Sequence, residues 1–523
     1  MVKYSMSSEV KKICLTPLSP VHVGCGLDYD PSGFVYERQD DSSKGILYCF
    51  DASRAYFPRN KFHLLSQIAR SGSLQDLHNF FMTNKDLVIP YTKQLLPCMS
   101  DLSDNIRSIL KGKFRNLELQ RNVFYEHPDS IEPYIPGSSL KGVIHTALLD
   151  AVNQGKKHSK DARLDEDILG SGMDKSPMRL IKISDLIATD QNAKTVVYCA
   201  NRCYKKDGVP SGIKQYFESI LAGQYRLFKG EITLNQPYPG YQSVGDRHAY
   251  KNTKAVIADL NRYFLPVWER ELLTLNVASN ASRQWASQMN ELRNVLSKLI
   301  ENHQVALVKI GKNSGADSLV LHGEGVAKIR NIKGPVSDQS KTFFAAEDSY
   351  NNQKVYLPFG WALLEVDPQN ENTPLKQWCH HMQSALGSSR FDMQAYWERL
   401  SEQKQKSERL REEEIRQKQK EEQEKQAAIK AEEEKKRELA AMSDNLRQVT
   451  VLCEKLAKAG TQLTKPGQVL NKETHNLLKT ALNWPKEDQK QFALKLRPLF
   501  KAKCLDQGGS GKEMKALLRT FES

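Results

Sequence analysis

The chain has 523 residues, of which 39% are hydrophobic and 26% charged, and a formal net charge of +14; that length holds two to four domains with substantial cores. It has no run of 18 apolar residues and no apolar stretch near Met1, so no membrane span and no secretory leader are expected, and the location expected is cytoplasmic. The nine cysteines are scattered and odd in number, which argues against a disulfide framework, and the basic excess favours nucleic acid or another polyanion as partner.

In chain order, Lys12 to Val23 reads as a strand that closes on Gly24-Cys-Gly26. Asp28 and Asp30 follow as turn residues rather than a metal pair. Ile46 to Phe50 reads as a strand, and Lys61 to Ala69 and Asp101 to Leu110 as helices. Tyr134-Ile-Pro-Gly-Ser-Ser-Leu-Lys-Gly142 turns at Pro136-Gly137 and runs into an apolar helix over Leu140 to Val152, with Ser138 or Ser139 expected as its N-cap. Such a helix start suits a phosphate oxygen, because its first N–H groups are unpaired and its end is partially positive. Gly137 and Gly142 give room for close approach, and Lys141 adds a full charge in the first turn.

Further along, Met178 to Ser184, Tyr225 to Leu234, Val305 to Ile310 and Ser318 to Val326 read as strands. Ser211 to Gly223, Val256 to Phe264 and Ser282 to Asn302 read as helices. Cys199 and Cys203 form the one close cysteine pair, but no second pair or histidine at zinc spacing accompanies them, so neither metal nor cofactor is expected. The interleaving of strands and helices predicts an α+β fold of the βαββαβ kind.

Glu398 to Glu438 holds 13 acidic and 13 basic residues. Pairs such as Glu412/Arg416, Glu414/Lys418 and Glu432/Lys436 place the acid four residues before the base, the favourable order in a helix. Leu400, Leu410, Ile415, Ile429 and Leu439 do not repeat in heptads, so a solvated spacer helix is expected over a coiled-coil seam. Residues 439–523 carry 15 basic and 8 acidic residues. Amphipathic patterns at Leu446 to Leu456, Thr474 to Leu482 and Lys486 to Leu499 predict a small helical module, with Gly508-Gly-Ser-Gly511 read as a turn.

Four glycine-punctuated segments recur in order: Leu18-Ser-Pro-Val-His-Val-Gly-Cys-Gly26, Ile135-Pro-Gly-Ser-Ser-Leu-Lys-Gly142, the stretch from Lys309 to Gly325, and Leu357-Pro-Phe-Gly-Trp361. This set resembles the RAMP superfamily of CRISPR-associated proteins, and within it the fifth Csm-family subunit of type III-A effector complexes. The resemblance spans about residues 10 to 368 and leaves out the charged run and the tail. It implies two ferredoxin-like (RRM-like) RAMP units, placed at 1–155 and 156–397, ahead of the spacer at 398–438 and the basic module at 439–523.

The resemblance also implies a non-catalytic subunit that caps the 3′ end of the crRNA and is required for its maturation. Its partners would be the crRNA and neighbouring RAMP subunits, with no membrane; a host trimming nuclease is a further expected partner on the basis of the tail's basic charge and the spacer before it alone. The residues expected to meet RNA are His22, Gly24, Gly26, Gly137, Ser138, Ser139, Lys141, Gly142, Lys312, Gly315, Gly323 and Gly325. Ser184-Asp185 resembles part of a family strand. His145 stands where the family often has Arg, which weakens a phosphate contact there.

The physics runs parallel to this picture. Glycine turns expose main-chain donors that hold RNA regardless of base identity. Lys141, Lys309, Lys312 and Lys328 supply charge, and Tyr134, Tyr29 and Phe34 are either stacking faces or core residues. His22 and His322 are either general acid–base groups of a metal-independent endoribonuclease or structural residues; no second acid–base partner stands at defined spacing from His22. A coiled-coil scaffold is the third reading.

Overall fold

The computed structural model describes residues 8–39, 44–111, 119–127, 130–158, 164–170, 172–190, 193–208, 210, 214–237, 243–330 and 336–523. Residues 1–7 and the first residues of the expected Ser211 to Gly223 helix lie outside these. The described chain divides into two units, Met1–Glu408 and Arg409–Ser523.

Alternation marks part of the first sheet of the larger unit. Along Ser8–Pro17 and Phe228–Asn235, the residues Ile13, Leu15, Phe228, Ile232 and Leu234 are buried, while Lys12, Lys229 and Glu231 are exposed. Phe228–Asn235 shows period-two alternation, one face packed and one open, whereas Ile13 to Pro17 and the strands beside it, Trp361–Val366 and Val305–Lys309, are buried on both faces. Among the described residues this sheet has eight strands. Its order is Val305–Lys309, Trp361–Val366, Ser8–Pro17, Phe228–Asn235, Leu186–Ala188, Ile131–Ile135 and Phe124–Glu126, with Ile181–Ile183 also paired to Phe228–Asn235. The packed face shares one hydrophobic core with helices Gly137–Asn153 and Thr253–Ala278, through Leu140, Ile144, Leu148, Val256, Leu260 and Phe264.

The second sheet has nine strands among the described residues. Its order is Gly24–Asp28, Leu119–Asn122, Gln215–Ile220, Thr195–Tyr204, Thr92–Cys98, Gly45–Phe50 and Phe34–Arg38, and the Thr342–Tyr350/Gln353–Pro358 hairpin joins at Thr195–Tyr204. Both sheets take strands from either side of residue 155, so the two halves of the sequence interleave in space.

Three local expectations are corrected. The expected Ser211 to Gly223 helix is instead the strand Gln215–Ile220, paired along its length with Thr195–Tyr204 and at Tyr216 and Phe217 with Leu119–Asn122; Tyr216, Phe217 and Ile220 belong to sheet cores. Ser318 to Val326 is not a strand but a 3-10 turn at Ala316–Ser318 followed by further turns. Gly508-Gly-Ser-Gly511 opens the helix Gly508–Glu522 rather than a turn. Gly511 sits there because an added Cβ would fall 2.4 Å from the Asp506 carbonyl carbon.

In the smaller unit, helices Asp444–Lys458, Val469–Ala481, Lys486–Ala502 and Gly508–Glu522 enclose their own core, with Val449, Leu456, Leu478, Phe492, Leu496 and Met514 at its centre. The helix Met393–Ala441 carries the charge run. Glu414–Lys418 and Glu432–Lys436 pair at 3.2 and 2.9 Å, each worth only about 0.2–0.5 kcal/mol. Leu410, Ile415 and Ile429 are exposed on it.

Candidate nucleic-acid interface

The start of the Gly137–Asn153 helix is built differently from expectation. Its N-cap is Pro136, and neither Ser138 nor Ser139 caps it. The cap comes from 48 residues away, where Asp185 Oδ1 accepts from the Gly137 amide at 2.8 Å. Asp185 Oδ2 accepts from the Tyr125 hydroxyl at 2.9 Å. A carboxylate therefore already sits at the positive end of this helix. Ser184-Asp185 is the turn between two short strands rather than part of one. Gly137 is required for packing: a Cβ there would lie 2.3 Å from the Ile183 carbonyl oxygen and 2.7 Å from that of Ser184.

Beyond that turn the helix is open. Ser138 and Gly142 are exposed, Lys141 is half-buried, and a Cβ on Gly142 would meet nothing within 4 Å. No ion pair engages Lys141 among the described residues. His145, one turn on, is held by Asp165 at 2.7 Å.

The first and third glycine segments meet. The Lys312 amide donates to the His22 carbonyl oxygen at 2.8 Å. A Cβ on Gly311, whose φ is +88°, would fall 2.3 Å from that same oxygen. The Lys312 side chain reaches outward across the Phe217 ring, 5.4 Å from its centroid, to donate to Gln120 Oε1 at 2.6 Å. Beside it runs Gly24–Asp28, an edge strand of the second sheet with Gly24 and Gly26 exposed.

His22 itself is fully buried. Its Nδ1 lies 2.6 Å from the Glu218 carbonyl oxygen, an acceptor, so Nδ1 carries the proton and Nε2 presents a lone pair. Burial, reinforced by the Lys312 charge and only partly offset by the Glu218 carbonyl, lowers its pKa to about 4. Nε2 has no hydrogen-bond partner and points at Gly24, whose Cβ would lie 3.3 Å away. The ring is thus neutral near pH 7 and cannot serve a phosphate as a cation.

The Glu218 side chain anchors the same junction from inside the sheet. It accepts from Tyr29, Gln94, Asn122 and Thr195 at 2.6 to 2.9 Å. Tyr29 and Phe34 are buried in that core and offer no stacking face.

The rest of the third segment lies elsewhere. Lys309 is buried and clamped by Glu271 at 2.6 and 2.8 Å; desolvation lowers its pKa despite that partner. Gly315 is open, with φ +88°. The His322 amide donates to Asp150 at 2.7 Å, and its ring stacks on Tyr263 with centroids 4.3 Å apart. Gly323 packs on Gly155, Gly325 faces the Lys157 side chain, and Lys328 donates to the His158 carbonyl. Gly323 and Gly325 therefore sit at the far end of the Gly137–Asn153 helix, roughly 25 Å from Gly137 at 1.5 Å per residue. Cys199 and Cys203 lie four residues apart on one strand, a separation of about 13 Å that no single metal spans.

The expected residues thus form three groups: His22, Gly24, Gly26 and Lys312; Gly137, Ser138, Ser139, Lys141 and Gly142; and Gly323 with Gly325. Gly315 stands apart from all three, with nothing within 4 Å of an added Cβ. The strands Leu119–Asn122 and Phe124–Glu126 connect the first two groups, since they pair in turn with Gly24–Asp28 and with Ile131–Ile135. The sequence reading missed Tyr125, Asp185 as a cap, and Glu218. Three-residue strands and side chains brought in from distant turns leave no periodic trace.

A family model described as the RAMP superfamily matches residues 14–501, running past the motif-bearing part. No curated protein matches the sequence. Among solved structures, the chain is similar to a chain of a cryo-EM structure of a Csm–crRNA–target RNA ternary complex in a type III-A CRISPR-Cas system. Identity there is 15%, the alignment covers 68% of this chain and 100% of that one, and the TM-score is 0.42. It is also similar to Csm5 of T. onnurineus, at 15% identity over 66% of this chain and 99% of that one, with a TM-score of 0.38.

Proposed function

The chain belongs to the RAMP superfamily, and on that premise we propose that it is a non-catalytic RNA-binding subunit of a type III-A (Csm) effector complex. In this reading it caps the 3′ end of the crRNA and supports crRNA maturation and complex assembly in antiviral defence. Its partners are the crRNA, neighbouring RAMP subunits and trimming nucleases of the host.

One observation carries the reading. Two glycine segments almost 300 residues apart meet at the His22–Lys312 hydrogen bond, and the meeting leaves the Lys312 ammonium and the Gly24–Gly26 edge at the surface. Main-chain donors beside a lysine suit a ribose-phosphate strand of any sequence, which is what a cap on guides of differing sequence requires. The strand order Trp361–Val366, Ser8–Pro17, Phe228–Asn235, Leu186–Ala188, with Gly137–Asn153 and Thr253–Ala278 in the two crossovers, supports reading this part as a ferredoxin-like unit, whose strands run 4-1-3-2. The burial, low pKa and lack of a partner at His22 Nε2 favour a structural histidine over a general acid or base.

The test is filter binding of single-stranded RNA of several sequences to the wild-type chain and to a Lys141→Ala/Lys312→Ala variant. Affinity is expected to fall alike for all sequences, and the salt slope to shrink by about 1.4, or 0.7 for each lost phosphate contact. An unchanged slope removes these lysines from the interface. RNA co-purifying with a uniform 5′ end and ragged 3′ ends supports the capping role; loss of neither guide length nor complex yield on deleting residues 398–523 would leave the basic module without a part in it.

A further inference from the structure

The face of the first sheet that carries Ile187, Lys229, Glu231 and Lys12 is exposed at these residues, while farther along, at Cys14 and Glu365, the same face is buried. The register places Tyr134, Ile187, Lys229 and Cys14 side by side on four consecutive strands. That row is about 14 Å long at 4.8 Å per strand. At its outer end the Tyr125 and Tyr134 rings stack, with centroids 4.1 Å apart and planes 22° from parallel. Tyr125 is 37% exposed and Ile187 41% exposed. At the other end the row enters a groove of about 880 Å³ lined by Lys12, Arg226, Lys229 and Glu231 among others.

The Tyr125 hydroxyl steadies the Asp185 cap on Gly137, but the Tyr125 ring and Ile187 are left partly exposed by the fold. A paired tyrosine with its outer face in water, next to an exposed isoleucine, leaves apolar area unburied on a sheet that buries such area well on its other side. The rings are also fixed in place. Tyr125 is tied by its hydroxyl to Asp185, which is itself fixed by the Gly137 amide. A ring already immobilised loses little entropy when a planar partner lands on it. The lysine charge gathers at the Lys229 end of the face. Lys12, Lys182 and Lys229 are exposed and make no ion pair among the described residues, with Glu231 in the same rows, while the acids Glu132 and Asp185 lie at the tyrosine end beside Tyr125. Arg226 and Asp367, which also border the groove, are spent on Glu365 and Lys11.

The geometry points to a nucleobase-stacking platform: single-stranded RNA lays an unpaired base on Tyr125, and its backbone crosses the sheet toward Lys229 and Lys12. This rests on the RNA-binding reading above and adds to it a contact that senses the base face rather than the phosphate. Aromatic rings on an open sheet accept any base, because every base has a π-face.

The test uses the full chain, a fluorescein-labelled single-stranded RNA and the variants Tyr125→Leu, Tyr125→Phe and Lys229→Gln. Tyr125→Leu is expected to weaken binding roughly five- to 150-fold, the range of one base–aromatic stack, with an unchanged salt slope. Tyr125→Phe keeps the ring and is expected to bind within about twofold of wild type. Lys229→Gln is expected to lower the salt slope by about 0.7. RNA carrying 4-thiouridine is expected to crosslink to the Phe124–Glu126 strand. Wild-type binding that Tyr125→Leu leaves intact overturns the platform and spares the RNA-binding reading, as does loss of a co-purifying protein from Tyr125→Leu with RNA binding unaltered. Failure of the wild-type chain to bind single-stranded RNA overturns both.

Discussion

Gly311→Ala tests the junction on which the functional reading stands. The new Cβ would lie 2.3 Å from the His22 carbonyl oxygen and 3.1 Å from its carbon. A relaxed carbon–oxygen contact needs about 3.3 Å, so one backbone must retreat by about 1 Å. Both obstacles are main chain, so no side chain can swing aside. That retreat stretches the Lys312 N–H to His22 bond, now 2.8 Å, past hydrogen-bonding range. Three costs add: about 1–3 kcal/mol for overpacking, about 1–2 for a left-handed non-glycine residue, and about 0.5–1.5 for the lost bond. Their sum is about 3–6 kcal/mol, a large part of a typical domain's stability. Gly315→Ala is the internal control. Its φ is also +88°, with ψ 149°, an extended positive-φ conformation, but nothing lies within 4 Å of the added carbon, so only the backbone strain of about 1–3 kcal/mol remains. Urea unfolding followed by tryptophan fluorescence reads the difference in the right unit, since Trp268, Trp285, Trp361, Trp378 and Trp397 lie in Met1–Glu408 and only Trp484 lies outside. Gly311→Ala should cost about 2–4 kcal/mol more than Gly315→Ala. If the two variants unfold within about 1 kcal/mol of each other, the two segments are not in contact in solution and the reasoning is refuted.

Acid sensitivity follows from His22. Its folded pKa, about 4, lies below the unfolded value, so the unfolded chain binds more protons as pH falls. Stability is therefore full above about pH 6.5 and declines toward pH 4, with about 2 kcal/mol lost by pH 5 from this residue; His22→Gln should flatten the wild-type stability profile between pH 6.5 and 5, and an equally steep profile in the variant counts against the assignment. Lys309→Ala leaves the half-buried Glu271 without its cation, though the Trp361 indole N–H still donates to it, and should cost up to about 3 kcal/mol, while the salt dependence of RNA binding stays as in wild type. A changed slope would mean that Lys309 reaches the ligand after all. Gly142→Ala, on an exposed helical position with free space around it, should raise stability by up to about 1 kcal/mol; a melting temperature at or below wild type would show that the space is filled.

Much of the fold was legible where a pattern repeats over many residues. Leu140, Ile144, Ala147 and Leu148 recur at helical spacing, and the helix Gly137–Asn153 follows. The charge run reads as helical from its four-residue acid–base offsets, and Glu414 and Lys418 do meet. Short or fully buried elements were not legible. Gln215-Tyr-Phe-Glu-Ser-Ile220 carries its glutamate inward because four donors from other strands converge on it, and no window of local sequence contains those donors. The cap on Gly137 escaped notice for a related reason: Asp185 arrives through the sheet, not along the chain. Interleaving of the two sheets is likewise a property of pairing partners far apart in sequence.

The glycines show how the same residue type serves two purposes that spacing alone does not separate. Gly137, Gly311 and Gly323 are crowded: an added carbon meets another segment's main chain within 2.3 to 2.9 Å. They hold segments against one another, and the Gly137 amide is taken by Asp185. Gly26 and Gly315 combine a positive φ with empty space, so nothing in the fold demands their lack of a side chain except a backbone conformation that leaves the surface bare. Packing therefore accounts for the first set, whereas the second set leaves room around the main chain, Gly26 on the edge strand near Lys312 and Gly315 three residues farther along the chain, at no benefit to the interior. If ribose-phosphate is held through amides, the contacts should fall on Gly26 and Gly315. Substituting these two should damage RNA affinity far more than stability, whereas Gly137 and Gly311 should damage stability first.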